Sequence, residues 1–210
     1  MKFYIDTSVF GGYFDKEFEV ETKLFFEEII NSNHQIIVSA EVMREIIKAQ
    51  EKVSGFLLSH LEKNMEIILL DEKIISLANE YVKEGALTEK YLSDALHIAS
   101  ATILKVDVLV SWNFKHMVNF FRIKQYNEIN RKFGYQNIDI RTPKEVINKN
   151  NISKAEEPAV PYGENISSME MLRAIRNELS DLYWKDPKAY LEETNRIAKE
   201  FLEKHGIKKK

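Results

Sequence analysis

The sequence predicts an α/β protein: a parallel β-sheet flanked by helices, followed by a C-terminal two-helix arm. Three observations carry this. Short runs rich in Ile, Val and Leu recur through the first 150 residues, segments with helical spacing lie between them, and the composition changes after Lys149. Short apolar runs suit strands buried on both faces. Their alternation with helices implies βαβ crossovers, hence a parallel sheet whose working site lies beyond the carboxyl ends of its strands.

In chain order, Phe3–Ile5 is the first predicted strand, and a helix follows over about Val20–Ile30. Ile36–Val38 is the second strand, and Ser39 has the chemistry of an N-cap for the helix after it. Phe56–Leu61 carries a third helical segment and Ile67–Leu70 a third strand. A helix after Asp71 closes at Gly85, in the position of a C-terminal glycine. A helix over about Lys90–Leu104 leads into the strand Val106–Val110. Another, Val118–Phe133, stops at Gly134, and Ile138–Ile140 reads as an edge strand. Residues 1–150 thus form one domain. Residues 151–165 hold two of the four prolines and read as a linker. Residues 166–210 form the arm. Ser167 and Glu170 make a capping-box pair, and Leu172, Ile175, Leu179 and Leu182 follow at helical spacing. Asp186-Pro187 restarts a second helix, with Tyr190, Ile197 and Phe201 as its stripe and Leu191, Ala198 and Leu202 beside it. Two such helices cannot build a core alone, so they must dock.

A formal net charge of −3, with 44% hydrophobic and 30% charged residues, supplies no general attraction for nucleic acid or anionic membrane. A nucleic-acid site would be a local basic surface around an acidic centre. The lack of cysteine excludes disulfides and thiolate metal sites and makes cytoplasmic residence the default. The N-terminal apolar run is too short for a signal peptide, and no stretch reaches the roughly 18 apolar residues that span a bilayer. The expectation is a soluble cytoplasmic protein with no membrane partner.

Asp6 ends the first strand among apolar neighbours, either at the functional edge of the sheet or capping the next turn. Asp94 has Tyr91, Ile98 and Ala101 as its helical neighbours, so its carboxylate leaves an apolar face. A buried charge needs a partner, so Asp94 is either functional or held in a salt bridge. Glu45 lies one turn after Glu41, a pairing that is usually solvated. His97 and His116 form no zinc pattern and read as solvated or hydrogen-bonded. Asp6, Glu45 and Asp94 come from three separate elements and can meet at one sheet end. Oxygen ligands suit Mg²⁺ or Mn²⁺, and such a centre can activate water for an in-line phosphoryl displacement. That chemistry fits a phosphodiesterase or a phosphatase.

The segments Phe3-Tyr4-Ile5-Asp6-Thr7-Ser8-Val9, Val38-Ser39 with Glu45, Ser93-Asp94-Ala95-Leu96-His97-Ile98-Ala99 and Val108-Leu109-Val110-Ser111-Trp112-Asn113 resemble, in order and separation, the four site segments of PIN-domain ribonucleases (VapC-type toxins). The resemblance covers about residues 1–148. It implies metal binding by Asp6, Glu45 and Asp94, hydroxyl support from Ser8 and Ser111, Mg²⁺ or Mn²⁺ as cofactor and RNA as substrate. Asn113 stands where many relatives have aspartate, so it is an auxiliary, uncharged ligand. Met171-Leu172-Arg173-Ala174-Ile175-Arg176-Asn177-Glu178-Leu179 resembles the start of short helical antitoxins. That implies an inhibitory arm acting in cis or in trans, the alternative being a helical pair that only packs on the domain or mediates a homodimer. If Leu172, Ile175 and Leu179 dock, Arg173 or Arg176 can reach the carboxylates and neutralise them. Two alternatives stay open: a PIN domain that binds RNA or protein without cutting, suggested by Asn113, and a haloacid-dehalogenase-like phosphatase. The latter expects an aspartate two residues after Asp6, where Ser8 stands.

Overall fold

The computed structural model describes residues 1–32, 34–49, 53–57, 65–147 and 168–205. Five strands form one sheet in the order β3-β2-β1-β4-β5: β1 (Lys2–Ile5), β2 (Gln35–Ser39), β3 (Met65–Ile68), β4 (Val108–Val110) and β5 (Ile140–Arg141). Every pairing is parallel. The chain runs outward from β1 through β2 to β3, then returns to β4 on the other side. The switch point between β1 and β4 therefore opens a crevice at their carboxyl ends, where a doubly wound sheet places its ligand. Phe3, Tyr4 and Ile5 and all of β4 are buried, as strands covered on both faces require.

The helices are α1 (Thr7–Gly12), α2 (Glu19–Asn31), α3 (Ala40–Lys48), α4 (Glu72–Lys83), α5 (Leu92–Ile103), α6 (Phe120–Lys132), α7 (Pro143–Ile147), α8 (Ser168–Lys185) and α9 (Pro187–Lys204), with a 3₁₀ turn at Glu89–Tyr91. Residues 53–57 are also helical. Ser39 and Asp71 cap α3 and α4 through their side chains, and Gly85 and Gly134 take φ of +76° and +79° after α4 and α6. These are the helix stops that the glycines predict. Among the described residues no helix is long and apolar enough to cross a membrane.

Several boundaries differ from the sequence reading, each for a local reason. β3 ends before Leu70, whose backbone N–H and C=O both pair with the side-chain amide of Asn195 on α9, each at 2.8 Å. β4 begins at Val108, because the Val106 N–H closes α5 on the Ala101 carbonyl, with Lys105 at φ 51°. The edge strand is Ile140–Arg141 rather than Ile138–Ile140. α1 is not predicted at all. Its valine, threonine and glycines are weak helix formers, but all six residues are buried, so packing sets their conformation. Val20 and Ile30 of α2 are exposed, and Thr22, Phe25, Phe26 and Ile29 form its buried face.

The arm docks on the domain. α8 lies against α1, α5 and the 3₁₀ turn, and α9 against α3 and α8. Leu172, Ile175, Leu179 and Tyr183 form the buried stripe of α8, whereas Leu182 is exposed. A helical stripe drifts from an exact i, i+3, i+4 ladder, and the aromatic residue wins the inward position here. The predicted linker 151–165 and the Ser167 cap lie outside the described residues, as do residues 58–61 of the third helical segment.

Candidate metal centre

Asp6 follows β1 directly and takes the N-cap position of α1, yet its side chain makes no capping bond. The turn-capping alternative is thereby excluded. Its Oδ2 instead accepts hydrogen bonds from Ser8 and from Ser111 Oγ, the latter at 2.7 Å. The Trp112 and Asn113 backbone N–H groups donate to those serines, each at 2.9 Å, so the loop after β4 fixes the hydroxyls. Oδ2 is thus held by the protein, and Oδ1 faces the crevice.

Glu45 enters from α3 and Asp94 from the first turn of α5, both buried. The Ser93 hydroxyl lies 2.6 Å from Glu45 Oε1 and 2.5 Å from Glu41 Oε1. Glu41 is therefore not solvated, as paired helical glutamates usually are. It is wholly buried, because the Tyr190 hydroxyl of α9 sits 2.7 Å from both of its oxygens. Burial raises the Glu41 carboxyl above its ordinary range, and the neighbouring Glu45 adds to the rise.

Into this cluster α8 inserts Arg176, which is 8% exposed. Its Nε donates to both Glu45 oxygens at 3.0 Å, one terminal nitrogen to Asp94 Oδ1 at 2.8 Å and the other to Asp6 Oδ1. The planar fork of a guanidinium fits such converging carboxylates better than an ammonium would. Against the cost of burial, Arg176 and then His97 hold Asp6 and Glu45 below the usual carboxylate range, Glu45 at about 2. Asp94 differs, since burial outweighs Arg176 and pushes it up to about 6.

Of the residues named from sequence, Asp6, Glu45, Asp94, Ser8, Ser111 and Arg176 come together. Arg173 is exposed and stands outside the cluster. Asn113 lies at its rim, with its amide nitrogen 3.1 Å from Asp94 Oδ1 and its oxygen accepting the His116 N–H. It presents the carboxylates with a donor, not a ligand oxygen. Three participants escaped the sequence reading: Glu41, Ser93 and His97. The spacing carried a signal for all three, since Glu41 is one turn before Glu45, Ser93 adjoins Asp94 and His97 is one turn beyond Asp94.

Ligand atoms of Asp6, Glu45 and His97 lie within 4.8 Å of one another, close enough to share one metal ion. The residues fit such an ion on this structure's own terms. Three carboxylates converge on one buried point, and a cation, the guanidinium, already stands there. Carboxylate oxygens are the donors that hard divalent ions take.

A parallel sheet with an acidic centre at its switch point defines the class of protein. The PIN domain profile matches residues 3–113, more than half of the chain, and the chain belongs to the PIN-domain family. PIN domains are generally nucleases and generally use divalent metals. No curated protein matches the chain closely enough to serve as a relative.

Proposed function

We propose that this chain is a divalent-metal-dependent endoribonuclease of the VapC toxin type, restrained by its own antitoxin-like arm. The Arg176 guanidinium bonded to Asp6, Glu45 and Asp94 at once carries this reading. Asp6, Glu45 and Asp94 would hold Mg²⁺ or Mn²⁺, with Asn113 auxiliary only after its amide turns. Such an ion would supply an acidified water and offset charge on the phosphodiester. Ser8 and Ser111 keep Asp6 Oδ1 pointed into the crevice. No side chain is required as a nucleophile. The guanidinium occupies the cation's place and also pairs with groups that RNA phosphate would approach, so the docked arm excludes both. In cis it acts at high effective concentration, and in trans it would act on a second copy. RNA as substrate, a homodimer and a cytoplasmic setting belong to the same proposal.

The full-length chain and its Arg176→Ala variant, at equal concentration with single-stranded RNA, test it. Cleavage should rise at least about tenfold in the variant, because removing the guanidinium leaves the docked carboxylates buried and unpaired, at a cost above roughly 1.4 kcal/mol. Cleavage should stop on chelation and be absent in Arg176→Ala/Asp94→Asn. Equal rates for wild type and Arg176→Ala would end the inhibitory role. Asn113 favours a second reading, a weakly active binding module. Metal binding by Arg176→Ala without any cleavage would select that module. Membership of the PIN family leaves the haloacid-dehalogenase alternative without support.

A further inference from the structure

The carboxylate chemistry proposed above leaves one group of the centre unused. His97 lies one turn beyond Asp94 on α5, so both side chains leave the same helix face. It is fully buried. Its Nε2 stands 3.1 Å from Glu45 Oε1 and 3.7 Å from Asp6 Oδ1. Those two oxygens also hold the Arg176 guanidinium, so the ring nitrogen borders the space that the cation fills.

The far side of the ring is fixed by the central sheet. Nδ1 lies 2.8 Å from the Tyr4 hydroxyl of β1, which lies 2.7 Å from Ser39 Oγ at the end of β2. Tyr4 and Ser39 are both buried. With the arm docked, Nε2–H donates to Glu45 Oε1, and the phenol accepts from Nδ1 and donates to Ser39; a divalent ion entering the centre would take the place of the Nε2 proton. An outer partner on one ring nitrogen, fixing tautomer and orientation for the other, is the usual support of a metal-ligating histidine. Asp6, Glu45 and His97 thus offer ligand atoms within 4.8 Å of one another, and two of those residues already hold a cation, the guanidinium.

We propose that His97 Nε2 is an inner ligand of the divalent ion beside Asp6 and Glu45, and that this nitrogen makes the centre favour first-row transition ions such as Mn²⁺ over Mg²⁺. The assignment rests on the metal-nuclease reading above and deepens it. Mg²⁺ prefers an all-oxygen, largely hydrated octahedron, whereas an imidazole suits the transition ions.

The test uses the full chain carrying Arg176→Ala, which clears the guanidinium from the centre. Electron-spin-echo spectroscopy of added Mn²⁺ should show the nuclear modulation of directly bound imidazole nitrogen. The signal should vanish in Arg176→Ala/His97→Gln. Calorimetry should find Mn²⁺ affinity about tenfold or more weaker there, with Mg²⁺ affinity changed by less than about threefold. Mn²⁺ bound to Arg176→Ala without nitrogen modulation overturns the His97 assignment and leaves the carboxylate centre standing. Modulation that survives in the glutamine variant overturns it too, by assigning the nitrogen elsewhere. Failure of Arg176→Ala to bind either ion overturns the metal centre itself, and this inference with it. The first spectrum needs no change at His97, so an unstable glutamine variant does not blunt the test.

Discussion

Asp6, Glu45 and Asp94 share one guanidinium but differ in charge energetics. Glu45 is held at about 2, below its ordinary 4.5, so its contribution to stability is complete above that value and is lost as pH falls toward 2. Asp94 runs the other way. Its carboxyl is raised from 3.8 to about 6, so ionising it in the folded chain costs stability as pH climbs through that window. At about 1.4 kcal/mol per unit, the full cost reaches about 3 kcal/mol above pH 7. Asp94→Asn in the full-length chain should therefore melt higher than wild type at pH 8, by several degrees at about 2–4 °C per kcal/mol. Its amide oxygen can still accept from Arg176. The advantage should disappear by pH 4, where the wild-type carboxyl is protonated. A variant that melts lower than wild type at pH 8 in scanning calorimetry would contradict this. Asp6→Asn should instead lower the melting temperature at pH 8, because Asp6 is stabilised in its charged form. Asp6 and Asp94 were readable from their apolar neighbours, whereas Glu45 was legible only through the motif, because a glutamate pair one turn apart is usually solvated. Glu41 was not, because a partner 149 residues away, Tyr190, buries it.

At the scale of elements, the sequence recorded strands and capped helices well and failed where a distant side chain decides. Ser39, Asp71, Gly85 and Gly134 mark their helix ends by local chemistry, which one sequence contains. The end of β3 depends on Asn195, an arm residue, and nothing near Leu70 announces it. α1 was unreadable for a related reason. Its sequence disfavours a helix, and burial under the arm helix α8, α2, α3 and Trp112 imposes one. Gly12 shows how tight that packing is. A Cβ there would stand 2.8 Å from the Trp112 ring and 3.1 Å from Thr22 Oγ1. Those two groups are themselves joined, the indole N–H donating to Thr22 at 2.9 Å, so neither moves freely. Gly12→Ala should accordingly destabilise the chain by about 1–3 kcal/mol, the usual cost of overpacking. Denaturant unfolding would read this as a lower midpoint at an unchanged slope, and an unchanged midpoint would mean that the ring can yield. Trp112 adjoins the loop that holds Ser111, so the same substitution should also weaken metal binding in the Arg176→Ala background.

Across the whole molecule, the arm divides two tasks between its helices. α8 carries the guanidinium plug, and α9 carries contacts that never touch the three metal-ligand candidates among the carboxylates. Tyr190 donates to Glu41, Asn195 pairs with the Leu70 backbone, and Arg44 of α3 bonds Thr194 and stacks over the Tyr190 ring at 4.2 Å. Dockings on α3 and on the end of β3 thus fix where α8 can lie, and α8 in turn sets the reach of Arg176. A buried arginine among carboxylates gains little net stability from its ion pairs once desolvation is counted. The apolar stripe and the α9 contacts must therefore supply much of the affinity of the arm, while Arg176 supplies the block. Loosening α9 should then free the centre without altering any residue in it. Tyr190→Phe/Asn195→Ala removes the donor to Glu41 and both bonds to Leu70, each worth about 0.5–1.5 kcal/mol net. With three bonds lost, the arm should open about tenfold or more often. Amide exchange across α8 should accelerate, and RNA cleavage by the full-length variant should fall between wild type and Arg176→Ala. Faster exchange with unchanged cleavage would mean that Arg176 holds the block by itself. If neither changes, the apolar stripe of α8 alone fixes the arm, and the division of tasks between the helices fails.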